Sequence, residues 1–410
     1  MSDSDRRLVI EGGESIVDFN SKAFKAVPES GIEDAVATMR AGMMYRYQPK
    51  KAEDSHVSLF EKEFATHLGS NFALGVNSCG AAMFIALNIA GVKPGDKVLS
   101  NGFTFTAVPS AIHHARAEPV FVESNLEWGL DAEDLENKVK ESGAKVLLLS
   151  YMRGHVPNMD AIMAVVKRHD LYLIEDCAHA YMTFWNGVKL GNFGRIACFS
   201  TQSSKGLSSG EGGILTTDDI EIAGKALLYA GSYEERWNRH FGIDEDLMDT
   251  LQNHIPGYSM RMTEVCAALL RPQIPRLIEI NKIHRQNYHY LEGLLENHPN
   301  IEIPKPFPEV EMFCDTMQFH LRGLTRKQAD YFIEVMSLEG IDMQIFGVQR
   351  NARDFREWQF LKDIEAVELP ATVEAIEFAC DLSLQPHLNT SHMDIIAQVI
   401  YEVLAFIIKD

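Results

Sequence analysis

The stretch Leu171-Tyr-Leu-Ile-Glu-Asp-Cys-Ala-His179 decides the fold. A short apolar run leads straight into two adjacent carboxylates, Glu175 and Asp176. Such a run, closed by polar residues, reads as a strand. Carboxylates at the carboxyl end of a parallel strand lie where open α/β sheets receive ligands. Working outward, similar runs recur at Phe72–Val76, Lys97–Ser100, Pro119–Val122 and Lys145–Tyr151 upstream, and at Ile196–Ser200 and Gly213–Thr216 downstream. Helical patterns separate several of them, at Gly80–Ala90, Thr106–His114, Asp131–Glu141 and Met159–Arg168. This alternation predicts an α/β architecture with a mostly parallel, seven-stranded sheet flanked by helices.

Two further segments carry chemistry. Asn77-Ser-Cys-Gly-Ala-Ala-Met83 joins a strand to an apolar helix. Ser78 suits an N-cap, Gly80 permits close backbone approach, and the helix N-terminus can hold a phosphate through its N–H groups. The same residues also suit an ordinary strand-to-helix turn. No GxGxxG or GxxxxGK[ST] pattern is present, which disfavours the usual dinucleotide and ATP loops. Downstream, Cys198-Phe-Ser-Thr-Gln-Ser-Ser-Lys-Gly-Leu-Ser-Ser-Gly-Glu-Gly-Gly213 presents hydroxyls and one lysine, Lys205, among small residues. A lysine in such a loop suits Schiff-base chemistry, which needs an amine able to lose its proton and reach a carbonyl; a solvated loop lysine is the plainer reading. Asp176 can pair with a protonated ring nitrogen or cap the next turn. In this order, the three segments match the needs of pyridoxal 5′-phosphate (PLP): a lysine for the imine, an acid for the pyridinium nitrogen and an anion cradle for the phosphate.

The remaining sequence bounds this reading. The chain has 410 residues, 46% hydrophobic and 23% charged, enough for a large core and two or three domains. Its formal charge of -20 argues against nucleic acid as a partner, because phosphate backbones demand clustered Lys and Arg. The polar start, Met1 to Arg7, carries no apolar signal core. The most apolar stretch, Met393 to Ile408, spaces Ile396, Val399, Ile400, Val403, Leu404 and Ile407 as one helical face, so a docked terminal helix is expected and no membrane partner. Six dispersed cysteines with no CxxC pair predict no structural zinc, and reduced thiols in a cytoplasmic protein. A long helical pattern runs from about Thr263 to Leu295, and the pattern changes after Pro304-Lys-Pro-Phe-Pro308. The expected division is a large cofactor-binding domain with an N-terminal arm, residues 1–275, and a smaller C-terminal α+β domain, residues 276–410.

With these segments in place, the sequence resembles the DegT/DnrJ/StrS family of PLP-dependent aminotransferases over nearly its whole length. The resemblance includes Phe60-Glu-Lys-Glu-Phe-Ala65, Gly91-Val-Lys-Pro-Gly-Asp96, Asn101-Gly-Phe-Thr-Phe105, Gly257-Tyr-Ser-Met-Arg-Met-Thr-Glu264 and Leu382-Ser-Leu-Gln-Pro-His387. It implies PLP fold type I, that of the aspartate aminotransferase superfamily, and a homodimer with shared active sites. It further implies transfer of an amino group from an amino acid, glutamate or glutamine, to the keto group of a sugar, cyclitol or small ketone. By position, Lys205 matches the imine-forming lysine and Asp176 the partner of the pyridine nitrogen. Phe105 matches the aromatic that stacks on the cofactor ring, and His179 falls where a Gln or His covers the cofactor. Gly80, Ala81 and Ser200 match the phosphate cradle, and Arg261 a residue reaching the phosphate from the other subunit. No metal is implied. The sequence departs from the family at Cys79, where Gly-Thr is common, and at Arg153, where an aromatic is usual. It also departs in Phe346-Gly-Val-Gln-Arg-Asn-Ala-Arg353, which lacks the usual proline pattern. Related dehydratases replace the imine lysine with histidine, so Lys205 favours transamination over that alternative and over a non-catalytic PLP-binding regulator. For the acceptor, Tyr45 and the cations Arg46, Lys50, Lys51, Arg236, Arg239 and Arg353 are candidate contacts or solvated surface groups.

Overall fold

A computed structural model describes residues 6–21 and 26–409; the first five residues of the polar start lie outside them. The seven strands form one sheet whose spatial order begins at Phe72, Gly213, Ile196, Tyr172, Val146, Lys97 and Glu118. The strands Glu118–Val122, Lys97–Asn101, Val146–Ser150, Tyr172–Asp176 and Ile196–Ser200 pair in parallel. Gly213–Thr217 and Phe72–Val76 add two antiparallel pairings at one side. The sheet is mostly parallel, as the alternation predicts.

The continuous apolar runs have a direct cause. Leu147, Leu149, Leu173, Ala197 and Phe199 enter one core cluster. Their neighbours Val146, Leu148, Ile174, Ile196 and Cys198 enter another on the opposite face. Successive strand side chains point to opposite faces, so a sheet covered on both sides needs apolar residues at every position. The helices follow local signals. Ser78 accepts from the Ala81 N–H at the start of Cys79–Ile89, and Asn158 does the same for Ala161 before Met159–His169.

The pattern from Thr263 to Leu295 is not one helix. It divides into Glu264–Leu270, a tight 3₁₀ stretch Arg271–Arg276 and the helix Leu277–Leu295. Pro272 and Pro275 break it, since neither ring nitrogen can donate to the preceding turn. The last helix joins two cores: Leu277 and Ile280 pack in the large-sheet cluster, Tyr288, Leu291 and Leu295 in a separate C-terminal one.

That second core lies on a four-stranded antiparallel sheet, ordered Ile301–Glu302, Thr316–Leu321, Ala379–Ser383 and Met343–Ile345. The N-terminal arm packs here: Leu8 enters this core, and Arg6 forms ion pairs with Glu339 and Glu402. The helix Thr390–Lys409 is long and apolar enough by composition to cross a membrane. Met393, Ile396, Val399, Ile400, Val403, Leu404 and Ile407 are nonetheless buried in this core, which accounts for their helical spacing.

Candidate active site

The carboxyl ends of the parallel strands converge on Asp176. Parallel register sets Ser150 beside it on one neighbour and Cys198 on the other. Asp176 Oδ2 accepts from Ser150 Oγ at 2.8 Å, and Oδ1 accepts from the Ala178 N–H at 3.2 Å and from Cys79 Sγ at 3.7 Å. Burial raises its carboxyl pKa, and these hydrogen bonds act against that rise. Glu175, one residue earlier, points to the other face. It accepts from Tyr151 Oη and from the N–H groups of Gly191, Phe193 and Gly194 at 2.6–2.9 Å. Glu175 thus holds the turn at 191–194, while Asp176 lies on the face that carries Ser150 and Cys79.

Lys205 comes from the loop between Ile196–Ser200 and Gly213–Thr217. The loop closes on itself through Ser203 N–H to Gly210 O, Lys205 N–H to Gln202 O and Ser209 N–H to Thr201 O. Lys205 Nζ lies 2.9 Å from His179 Nε2. Burial, reinforced by the nearby Arg153 guanidinium, brings the amine down to about 8. Burial and the adjacent Lys205 push His179 well below the ordinary histidine range, so its ring is neutral and can accept from the ammonium. Burial pushes the carboxyl of Asp315 up to about 6, against the pull of Arg153 and Lys205. Arg153, at a left-handed φ of 56°, forms a part-buried ion pair with Asp381. Asp381 also accepts from Gln318 Nε2 at 2.8 Å and Gln344 Nε2 at 2.7 Å.

The predicted anion cradle begins the helix Cys79–Ile89. The Ala81 N–H donates to Ser78 Oγ at 3.0 Å, so an anion there shares that donor with the cap. A Cβ on Gly80 would meet only Ser78 Oγ, at 3.8 Å, so the backbone is open to approach. Ser200 ends its strand opposite Gly213, buried, with its carbonyl accepting from Tyr181 Oη at 2.5 Å. Arg261 bridges to Val76 at the strand that feeds the cradle. Its guanidinium donates to Gly231 O at 2.9 Å and Ser259 Oγ at 3.1 Å, and lies over the rings of Tyr45 and Tyr233. Phe105 is 41% exposed, and Arg353 Cζ sits 5.6 Å from its ring centroid.

Lys205 and His179 are thus in contact, and Asp176 touches the residue that opens the cradle helix. The other proposed cations separate. Arg46 is buried against Glu61 at 2.6 Å and Ser58, a structural ion pair. Arg239 donates to Tyr47 O, Arg236 pairs with Glu234 and Tyr45, and Lys50 and Lys51 face solvent. Sequence reasoning missed Ser150, Asp315 and Asp381. Ser150 had a signal, since it closes a strand beside Asp176. Asp315 and Asp381 come from distant segments and had none.

The chain belongs to the DegT/DnrJ/EryC1/StrS aminotransferase family, whose model matches residues 47–401. Among similar proteins, L-glutamine:2-deoxy-scyllo-inosose aminotransferase of Streptomyces fradiae is 30% identical over 70% of this chain and 68% of its own. Spore coat polysaccharide biosynthesis protein SpsC of Bacillus subtilis is 36% identical over 61% of this chain. The aligned stretch spans 62 to 65% of the length of three curated relatives. The crystal structure of 3-amino-5-hydroxybenzoic acid synthase superposes with a TM-score of 0.80 at 25% identity, covering 93% of this chain and 99% of the other. The fold is therefore that of the fold type I aminotransferases.

Proposed function

We propose that this protein is a PLP-dependent aminotransferase carrying an amino group from glutamine or glutamate to the keto group of a sugar or cyclitol. The observation that carries the reading is the convergence of Lys205, held by His179, and Asp176, held by Ser150, beside an open helix N-terminus. These residues fit the cofactor. A buried carboxylate faces the site, an amine poised at about 8 lies nearby, and the exposed face of Phe105 offers a ring platform. Gly80, Ala81 and Ser200 would hold the phosphate, with Arg261 reaching it from a second subunit of a homodimer. When bound, PLP supplies the electron sink that lets the C–H bond beside the amino nitrogen break.

The chain's own residues do the rest. Asp176 holds a proton at the ring nitrogen, and its bonds from Ser150 and Ala178 fix the carboxylate's direction. Lys205 Nζ takes and returns the proton at the substrate carbon, a task suited to an amine poised near neutral pH. Neutral His179 accepts from the ammonium once Lys205 is protonated and keeps it pointed at the site. We further propose that residues 1–275 and 276–410 act as a large and a small unit, with residues 6–21 strapped to the small one. The free cysteines suit a reducing cytoplasm.

The deciding experiment is Lys205→Ala. Wild-type protein should show the visible absorption band of lysine-linked PLP and glutamine-dependent amination of a keto cyclitol. The variant should lose both. A variant that keeps the band and turnover would sink the assignment.

A further inference from the structure

Among the described residues, the site contains a guanidinium, that of Arg353, with no ion-pair partner of its own. Arg153 is paired with Asp381. Asp354, the chain neighbour of Arg353, is taken by Arg356 at 2.7 Å. Among the described residues Arg353 forms no ion pair, and its buried Nε finds no hydrogen-bond partner. Its contacts are ring faces, Phe105 at 5.6 Å and Phe346 at 6.0 Å. The position is built. Ala352 O accepts from Thr106 N–H at 2.9 Å, Asp354 bridges to Phe103, and the Arg353 N–H donates to Asn351 Oδ1 at 3.0 Å. The guanidinium is thus held against the loop that carries Phe105, beside the reacting centre and not out at a flexible rim. Burial, with Arg153 nearby, brings it down to about 10, against the pull of Asp381, whose carboxylate is already paired with Arg153.

A half-buried cation without a partner is costly unless a ligand supplies the anion. In a two-stage transfer the donor and the keto acceptor use one pocket in turn. An amino acid donor always brings a carboxylate, whereas a neutral acceptor would leave Arg353 uncompensated in every second half-reaction. We propose that Arg353 anchors an oxyanion carried by the keto acceptor, so that the acceptor is an acidic sugar or ring ketone, its anion close to the keto carbon. The planar fork of donors matches carboxylate and phosphate alike. This inference rests on the transaminase reading above.

The test uses PLP-loaded wild type, Arg353→Gln and Arg353→Lys. Succinate, inorganic phosphate and neutral succinamide are titrated by calorimetry, and keto acceptors matched except for a carboxylate, a phosphate or a hydroxyl are compared by kcat/KM. Wild type should favour an anionic acceptor by on the order of tenfold or more, and Arg353→Gln should erase that preference and weaken anion binding by about 10- to 100-fold. Arg353→Lys should fall between, keeping charge without the fork. A carboxylate preference lost in Arg353→Gln assigns a carboxylate acceptor, and a phosphate preference lost there assigns a phosphorylated one. Equal use of the neutral acceptor, a preference that survives Arg353→Gln, or slowing of the donor half-reaction alone overturns the inference. The visible PLP band reports folding in each variant, with Arg353→Lys as the second variant should Arg353→Gln lose it. Absence of that band from wild type would fail the transaminase reading itself.

Discussion

Glu175 and Asp176 are one residue apart, and strand alternation sends them to opposite faces of the sheet. One ties down the turn at 191–194, and the other waits among Ser150, Ala178 and Cys79. Replacing Asp176 with Asn keeps the shape and removes the charge. PLP should still give its visible band, while turnover should fall by on the order of 10²- to 10⁴-fold, because the ring nitrogen loses its ionised partner. Unchanged turnover would refute the role. Lys205 gives a pH prediction with a definite sign. Only the neutral amine attacks an aldehyde, and burial places its midpoint at about 8. The rate of PLP uptake by stripped protein should therefore rise through pH 8 and level off, where an ordinary lysine would keep climbing to about 10. A rate still rising linearly well above pH 9, measured by stopped-flow absorbance, would count against the perturbed amine. The placing of Asp176 at the carboxyl end of its strand, and of Lys205 in a loop of small residues, was legible in sequence because each sits in a distinctive local setting. Asp315 and Asp381 were not, because their closeness to Arg153 and Lys205 depends on a second sheet folding back from more than a hundred residues away.

At the scale of elements, the seven strands and their helices were readable to within a residue or two, since two-sided burial writes itself as unbroken apolar runs. The failure was the stretch 263–295, where apolar spacing persists across Pro272 and Pro275 and conceals the break. The junction of strand and cradle helix is tight in a way spacing cannot reveal. A Cβ at Gly213 would lie 2.3 Å from the Ser78 carbonyl carbon and 2.5 Å from the Cys79 nitrogen, backbone atoms with nowhere to go. Gly213→Ala should push the first turn of Cys79–Ile89 outward. We expect a stability loss of about 1–3 kcal/mol in thermal melts, together with a clear weakening of PLP affinity in equilibrium titrations. Wild-type PLP affinity in that variant would show that the helix start does not set the cradle.

Over the whole molecule, the two cores meet through several links: the helix Leu277–Leu295, the pairing of Phe184–Trp185 with Val310–Glu311, the cluster of Phe103, Trp128 and Met152 with Phe346, Ala375 and Ile376, and the ion pair from Arg153, in the turn after Val146–Ser150, to Asp381 on the small sheet. Removing Asp381 leaves the largely buried Arg153 guanidinium with only Asp315 near it among the described residues and takes the acceptor from Gln318 and Gln344, so Asp381→Ala should cost about 1–3 kcal/mol in denaturant unfolding. A loss under about 1 kcal/mol would make the pair a surface-like contact. Arg261 poses the largest-scale question, because its guanidinium lies against Tyr45, Tyr233 and Gly231 of its own chain, at the edge of the cradle. In the proposed homodimer it serves the other subunit's phosphate. Lys205→Ala and Arg261→Ala proteins, each impaired alone, are then unfolded together and refolded as mixtures. A mixed dimer would hold one site with both residues intact and one with neither. Random pairing should restore about a quarter of the wild-type sites, read as recovered glutamine-dependent amination. If Arg261 acts within its own chain, no site in the mixed dimer has both residues, and activity stays at the average of the two parent proteins. The two arrangements thus differ by the presence or absence of complementation in one mixing experiment.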